Sequence, residues 1–152
     1  GVLLLPVKLM KTKGPLTVDN FLPLHKATLQ HVASDESIAN GKAVTVLTYL
    51  HGTKESEDAI AILKTEGYDV DLIELTCLKP FDKATIETSL KRTHKLAILD
   101  ESTRSGGVGA TMSALVSETL FDELDAPVLR LCMEGTRWGF LKSDTHCLPV
   151  QY

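Results

Sequence analysis

AVTVLTYLHGTKESEDAIAILKTEGYDVDLIEL, residues 43–75, sets two β-rich apolar runs on either side of a segment with helical spacing. The first run, AVTVLTYL at 43–50, has the continuous apolar character of a strand buried on both faces. In the following GTKESEDAIAILKTEG, Ala59, Ile60, Leu63 and Ser56 fall on one helical face, and Gly67 stands where a helix would be closed. YDVDLIEL at 68–75 alternates and then turns apolar, as a second strand does. The segment therefore predicts a strand–helix–strand unit.

The same pattern continues outward. Pro80 interrupts regular structure, and Asp82 offers a cap for a second helix over DKATIETSLKR, 82–92. KLAILDE at 95–101 predicts a third strand whose acidic end runs into SGGVGA. From Val108 onward, Val108, Met112, Leu115, Val116, Leu120 and Phe121 lie near one face, so residues 108–124 predict one long amphipathic helix. APVLRLCM at 126–133 predicts a fourth strand. Strands alternating with helices imply an α/β three-layer sandwich, a mainly parallel sheet covered by helices on both faces. Residues 1–42 lack that rhythm and are expected to form an extended N-terminal arm and linker, with the domain occupying 43–152.

A chain of 152 residues with 43% hydrophobic and 24% charged residues suits one ordinary globular domain. The formal charge of −4 argues against a nucleic-acid surface, which rests on clustered Lys and Arg. No apolar run approaches the roughly 20 residues of a membrane span, and peripheral association with a membrane complex is compatible with the sequence. Cys77, Cys132 and Cys147 are odd in number and lack C-x-x-C spacing, so neither a disulfide framework nor a zinc knuckle is encoded, and a reducing compartment fits best.

Gly106, Gly107 and Gly109 have the right context for phosphate, a turn between a strand and a helix, but the wrong spacing. Met112 stands where G-x-G-x-x-G needs its third glycine, no phosphate-loop Lys follows, and Asp100 and Glu101 would repel an anion. A structural turn is the expected role, because glycine permits positive φ and close packing of helix on strand. Adjacent strand residues face opposite sides, so Asp100 and Glu101 cannot form one acid–base pair; a cap or salt bridge is expected. His94 reads as a polar bridge between a helix and a strand. His25, His31, His51 and His146 show no metal-ligand spacing. No catalytic, cofactor-binding or metal residue is assigned. The exposed-arm residues Leu3, Leu4 and Leu5, together with Arg137, Trp138 and Phe140 of RWGF, are the candidate interface; RWGF reads equally well as a hot spot or as a tail packed on the core.

GYDVDLIEL, LKPFD, KRTHKLAILDE, SGGVGA and FDELDAPVLRL, in this order, resemble the C-terminal domain of the beta subunit of the pyruvate dehydrogenase decarboxylating component, a relative of transketolases. The resemblance covers about residues 21–131 and looks most like the plastid form. It implies a transketolase C-terminal-like fold, a plastid address with the mitochondrion as second choice, and other protein subunits as partners. It further implies that thiamine diphosphate is held by parts of the enzyme outside this domain, so that this chain alone binds no cofactor. The end of the chain, MEGTRWGFLKSDTHCLPVQY, departs from the family pattern except in LPVQY. Three readings follow: a non-catalytic assembly subunit, the C-terminal part of an active thiamine-dependent beta subunit, and a small-molecule or nucleotide-binding domain.

Overall fold

The computed structural model describes residues 23–133 together with 2–5, 10 and 13. Five strands form one mixed sheet: β1 (Thr28–His31), β2 (Ala43–Thr48), β3 (Asp69–Glu74), β4 (Leu96–Thr103) and β5 (Leu129–Met133). Their spatial order is β1-β3-β2-β4-β5; only β1 runs antiparallel, to β3, and all other pairs are parallel. The helices are α1 (Asp35–Ala39), α2 (His51–Thr65), α3 (Lys83–Thr93) and α4 (Val108–Thr119).

Strand alternation splits the core in two. Leu47, Ile73, Leu75, Leu96 and Ile98 face α3 and α4, where they meet Ile86, Leu90, Met112, Val116 and Leu120. Val44, Val46, Val70 and Leu72 face the other way, onto Ile60 and Leu63 of α2. Each wholly buried aliphatic side chain in these layers contributes about 1.5–3 kcal/mol before ordering entropy is subtracted. The sheet is thus covered on both faces, as the alternation of strands and helices requires.

Local chemistry sets the helix ends. Asp82 accepts from the Thr85 amide (3.3 Å) and hydroxyl (2.7 Å) to start α3. At the end of α2, Gly67 takes φ 80°, its N–H donates to Lys64 O, and Tyr68 N–H reaches back to Leu63 O, the paired closure that a left-handed residue allows. The Lys79–Pro80 peptide before α3 is cis. His94 closes α3 at φ 57°, and its ring nitrogen lies 3.1 Å from Glu123 O while Asp125 N–H donates to His94 O. It joins the end of α3 to the segment after α4.

Two expectations need correction. Residues 28–42, read as part of an arm, carry β1 and α1 and lie within the sheet assembly. Periodicity could not reveal this, because the segment is held by polar contacts. Asp82 accepts from Ala27 N–H (3.0 Å), Asp71 from Ala33 N–H (2.8 Å) and Asp69 from Ser34 N–H (2.9 Å). The helix expected over 108–124 ends at Thr119, and a 3-10 turn, Phe121–Glu123, follows; Phe121 is turned out to solvent at 70% exposure.

Asp71 is fully buried and also accepts from Ser89 Oγ (2.7 Å) and from Arg92 (3.2 Å), whose guanidinium donates in turn to Ala33 O. Ser89 Oγ continues the network to Thr45 Oγ1 (2.7 Å), which meets Thr93 Oγ1 at 2.6 Å. Removing this carboxylate orphans the Ala33 N–H just after β1 together with the Ser89 hydroxyl and Arg92 guanidinium of α3. Asp71→Ala is expected to cost about 3 kcal/mol, read as a lowered urea midpoint at unchanged slope.

Candidate functional site

At the carboxyl ends of β2 and β4, Asp100 gathers four donors. Tyr49 Oη donates to one oxygen at 2.5 Å and Ser102 N–H at 2.8 Å; Ser102 Oγ and Gly109 N–H donate to the other, each at 2.6 Å. The side chain is 3% exposed, whereas Glu101 on the opposite face is exposed. Asp100 therefore caps α4 from the preceding strand, because Gly107 at the N-cap position has no side chain to do so. Burial pushes its carboxyl up, but the hydrogen bonds from Ser102, Tyr49 and Gly109 outweigh that and hold it below the usual carboxylate range. Burial, and then the bond to Asp100, push the Tyr49 phenol far above its ordinary value.

This arrangement decides what the glycine turn can hold. A Cβ on Gly107 would stand 2.0 Å from Ser102 Oγ and 2.6 Å from Thr103 O; one on Gly109 would stand 2.8 Å from Asp100 Oδ2. Gly106 sits at φ 74° with open space around its Cα. The first turn of α4 is packed against its own strand and its Gly109 amide is taken by Asp100, so a diphosphate does not fit between them.

The opposite helix start is different. Leu50, the residue before α2, has φ 56° and ψ −122° and gives no side-chain cap. Among the described residues, Thr48 Oγ1, His51 Nδ1 and Thr53 Oγ1 are buried there without a hydrogen-bond partner, a situation that costs about 1–3 kcal/mol per group. Sequence reasoning missed these residues and also Tyr49 and Ser102. A threonine at the end of a β-run reads as strand, and nothing local marks its hydroxyl as unpartnered.

Of the candidate interface, Leu3, Leu4 and Leu5 are exposed; Arg137, Trp138 and Phe140 lie outside the described residues, as does Cys147. Cys77 and Cys132 are free, half-buried thiols. Among the described residues, no group of His, Cys, Asp and Glu could hold a metal ion, and no helix is long and apolar enough to cross a membrane.

Fold and site together define a mixed-sheet α/β domain whose glycine turn is closed by its own carboxylate. The chain belongs to the transketolase C-terminal domain family, which matches residues 36–138. It is 40% identical over 149 residues to a pyruvate dehydrogenase E1 component subunit beta of Gracilaria tenuistipitata var. liui, covering 95% of this chain and 44% of that protein. It is 41% identical over 119 residues to the chloroplastic subunit beta-3 of Arabidopsis thaliana, covering 76% of this chain and 29% of that protein. The chain thus spans less than half the length of these relatives. The Gracilaria match is wider than residues 21–131 and runs into both flanks, including the end of the chain expected to depart from the family. Among solved structures, a split-gene transketolase described as an inactive beta4 tetramer shares the fold, with a TM-score of 0.64 and 20% identity over 78% of this chain and 36% of its own.

Gly107→Ala is expected to cost more than about 2 kcal/mol through overpacking, while Gly106→Ala, strained only by its positive φ, should cost about 1 kcal/mol; thermal melts would rank them. Asp100 has a lowered folded-state pKa, so its contribution is present above the unfolded value of about 3.9 and fades as pH falls through the folded value. Asp69 and Asp82 are lowered in the same sense. Asp100→Asn should therefore destabilise the domain at pH 7 and flatten, without abolishing, the loss of stability below about pH 4 in acid titrations of the unfolding midpoint.

Proposed function

We propose that the chain acts as a non-catalytic assembly subunit derived from the C-terminal domain of a plastid pyruvate dehydrogenase E1 beta subunit, forming contacts with other subunits of a larger complex and supplying no reacting group of its own. The observation that carries this reading is the sheet edge at β5. Leu129 and Leu131 are 40% and 41% exposed, and their register partners Ala97 and Leu99 place them on the α2 face, where the α2 core contacts lie on β2 and β3. Among the described residues β5 is an edge strand, and such an edge with two exposed apolar side chains is a surface that proteins cover. The exposed arm residues Leu3, Leu4 and Leu5 extend the apolar surface available to partners. The chloroplastic relative supports the plastid address, and the relatives' names support an E1 context. In this reading, thiamine diphosphate is held by parts of the enzyme that this chain does not span.

A second reading, the C-terminal part of an active beta subunit catalysing pyruvate decarboxylation, is favoured by the Gracilaria match across 95% of the chain. A transcript that continues upstream of Gly1 into a thiamine-binding domain would select it. The small-molecule reading at the glycine turn loses support from the Asp100 cap.

For the assembly reading, the chain carrying Leu129→Ser and Leu131→Ser is expected to keep its melting temperature within a few degrees and to lose at least tenfold in affinity for E1 alpha and beta subunits in pull-down titrations. Undiminished binding would remove the β5 edge from the interface. The chain alone, given pyruvate, thiamine diphosphate and an electron acceptor, is expected to give no turnover; sustained turnover would overturn the proposal.

A further inference from the structure

The carboxyl ends of β2 and β4 mark the place where chain order reverses. β2 leads through α2 to β3 on one side, and β4 leads through α4 to β5 on the other. Ligands of open α/β sheets settle in such a crevice, against the first turn of a flanking helix. The α4 turn is filled by Asp100. The α2 turn begins a helix of 15 residues and receives no side-chain cap.

Independent of that geometry, the polar side chains there lack partners. Thr48 Oγ1 and Thr53 Oγ1 belong to residues 0% and 9% exposed, and neither hydroxyl has a hydrogen bond. The Thr48 hydroxyl is aimed at the helix start, since a Cβ on Gly52 would stand 2.2 Å from it. His51 Nδ1 is also buried and unpartnered, while its Nε2 faces Glu55 Oε1 at 3.5 Å. Leu50, at φ 56°, carries backbone strain in the turn that joins β2 to α2. Unpaired hydroxyls, an uncapped helix and a strained turn at one point indicate that the completing contact comes from outside the described residues.

The available groups specify its chemistry. Both hydroxyls can donate, the helix start is positive, the first-turn amides other than Thr53 N–H, which already donates to Leu50 O at 3.4 Å, can turn to a ligand, and His51 Nδ1 donates as imidazolium. Asp100 is engaged by its four donors, and Glu55 pairs with His51 Nε2 when the ring is imidazolium, the form in which Nδ1 also donates. We propose that the first turn of α2, with Thr48 and Thr53, binds a small oxyanion, a carboxylate or phosphate group, entering as the turn at Leu50 swings open. This site is separate from the β5 edge and does not depend on the assembly reading.

The test uses the full chain, isotopically labelled, titrated separately with inorganic phosphate and with acetate at constant ionic strength. Saturable amide shifts centred on Gly52, Thr53 and Lys54 are expected, with a melting temperature raised by several degrees. Thr48→Val and Thr53→Val, singly and combined, should weaken the response at least tenfold. Phosphate-selective shifts assign a phosphoryl source and acetate-selective shifts a carboxylate source, each in support. Amides of this turn that respond to neither anion overturn the proposal, and so does a folded double variant that responds as the unsubstituted chain does. The amide shifts of the unsubstituted chain decide the matter even where a variant fails to fold.

Discussion

A carboxylate inside a protein must be met by donors, and this fold is organised around that demand. Asp69, Asp71, Asp82 and Asp100 are all buried, and each accepts a backbone N–H from a different segment of chain. Without those donors each would be a costly buried charge. With them, each becomes a fixed link between elements far apart in sequence. The three aspartates on β3 and at the start of α3 fasten residues 27–34 to the sheet, and Asp100 fastens α4 to β4.

Hydrophobic burial builds the layers, but these carboxylates set their register. The apolar layer under α3 and α4 tolerates exchange among aliphatic side chains of similar volume. The Asp71 network does not, since Arg92, Ser89, Thr45 and Ala33 must arrive together in hydrogen-bonding geometry. The domain can therefore accept varied apolar residues in its core while holding one arrangement of β1, β3 and α3.

The same logic distinguishes the two ends of the crevice between β2 and β4. At α4 the chain provides its own anion, and glycines let the helix approach it closely. At α2, among the described residues, no carboxylate caps the helix start, and the hydroxyls of Thr48 and Thr53 stay unpaired. One side of the crevice is closed as structure, and the other holds the unmet hydrogen-bonding capacity. The apolar β5 edge, on the outer flank of the sheet, is a different kind of surface and suits protein contact.

Much of this was legible in the residues alone. The alternation around residues 43–75, the Asp82 cap, the Gly67 closure and the opposed faces of Asp100 and Glu101 follow from local periodicity and side-chain chemistry, which act over a few residues. β1 was assigned to the arm because Thr28–His31 is short and its flanks, Ala27, Ala33 and Ser34, are held by aspartates about 35–55 residues away. Phe121 was misplaced because periodicity carries on past Thr119, while the chain turns there into a 3-10 segment. The unpartnered threonines were invisible because hydrogen-bond satisfaction is a property of surroundings. The sequence by itself determined the strand–helix rhythm, the family and the glycine turn, all written in local spacing. Only the tertiary structure decided which polar groups meet, since those contacts join residues that adjacency along the chain does not bring together.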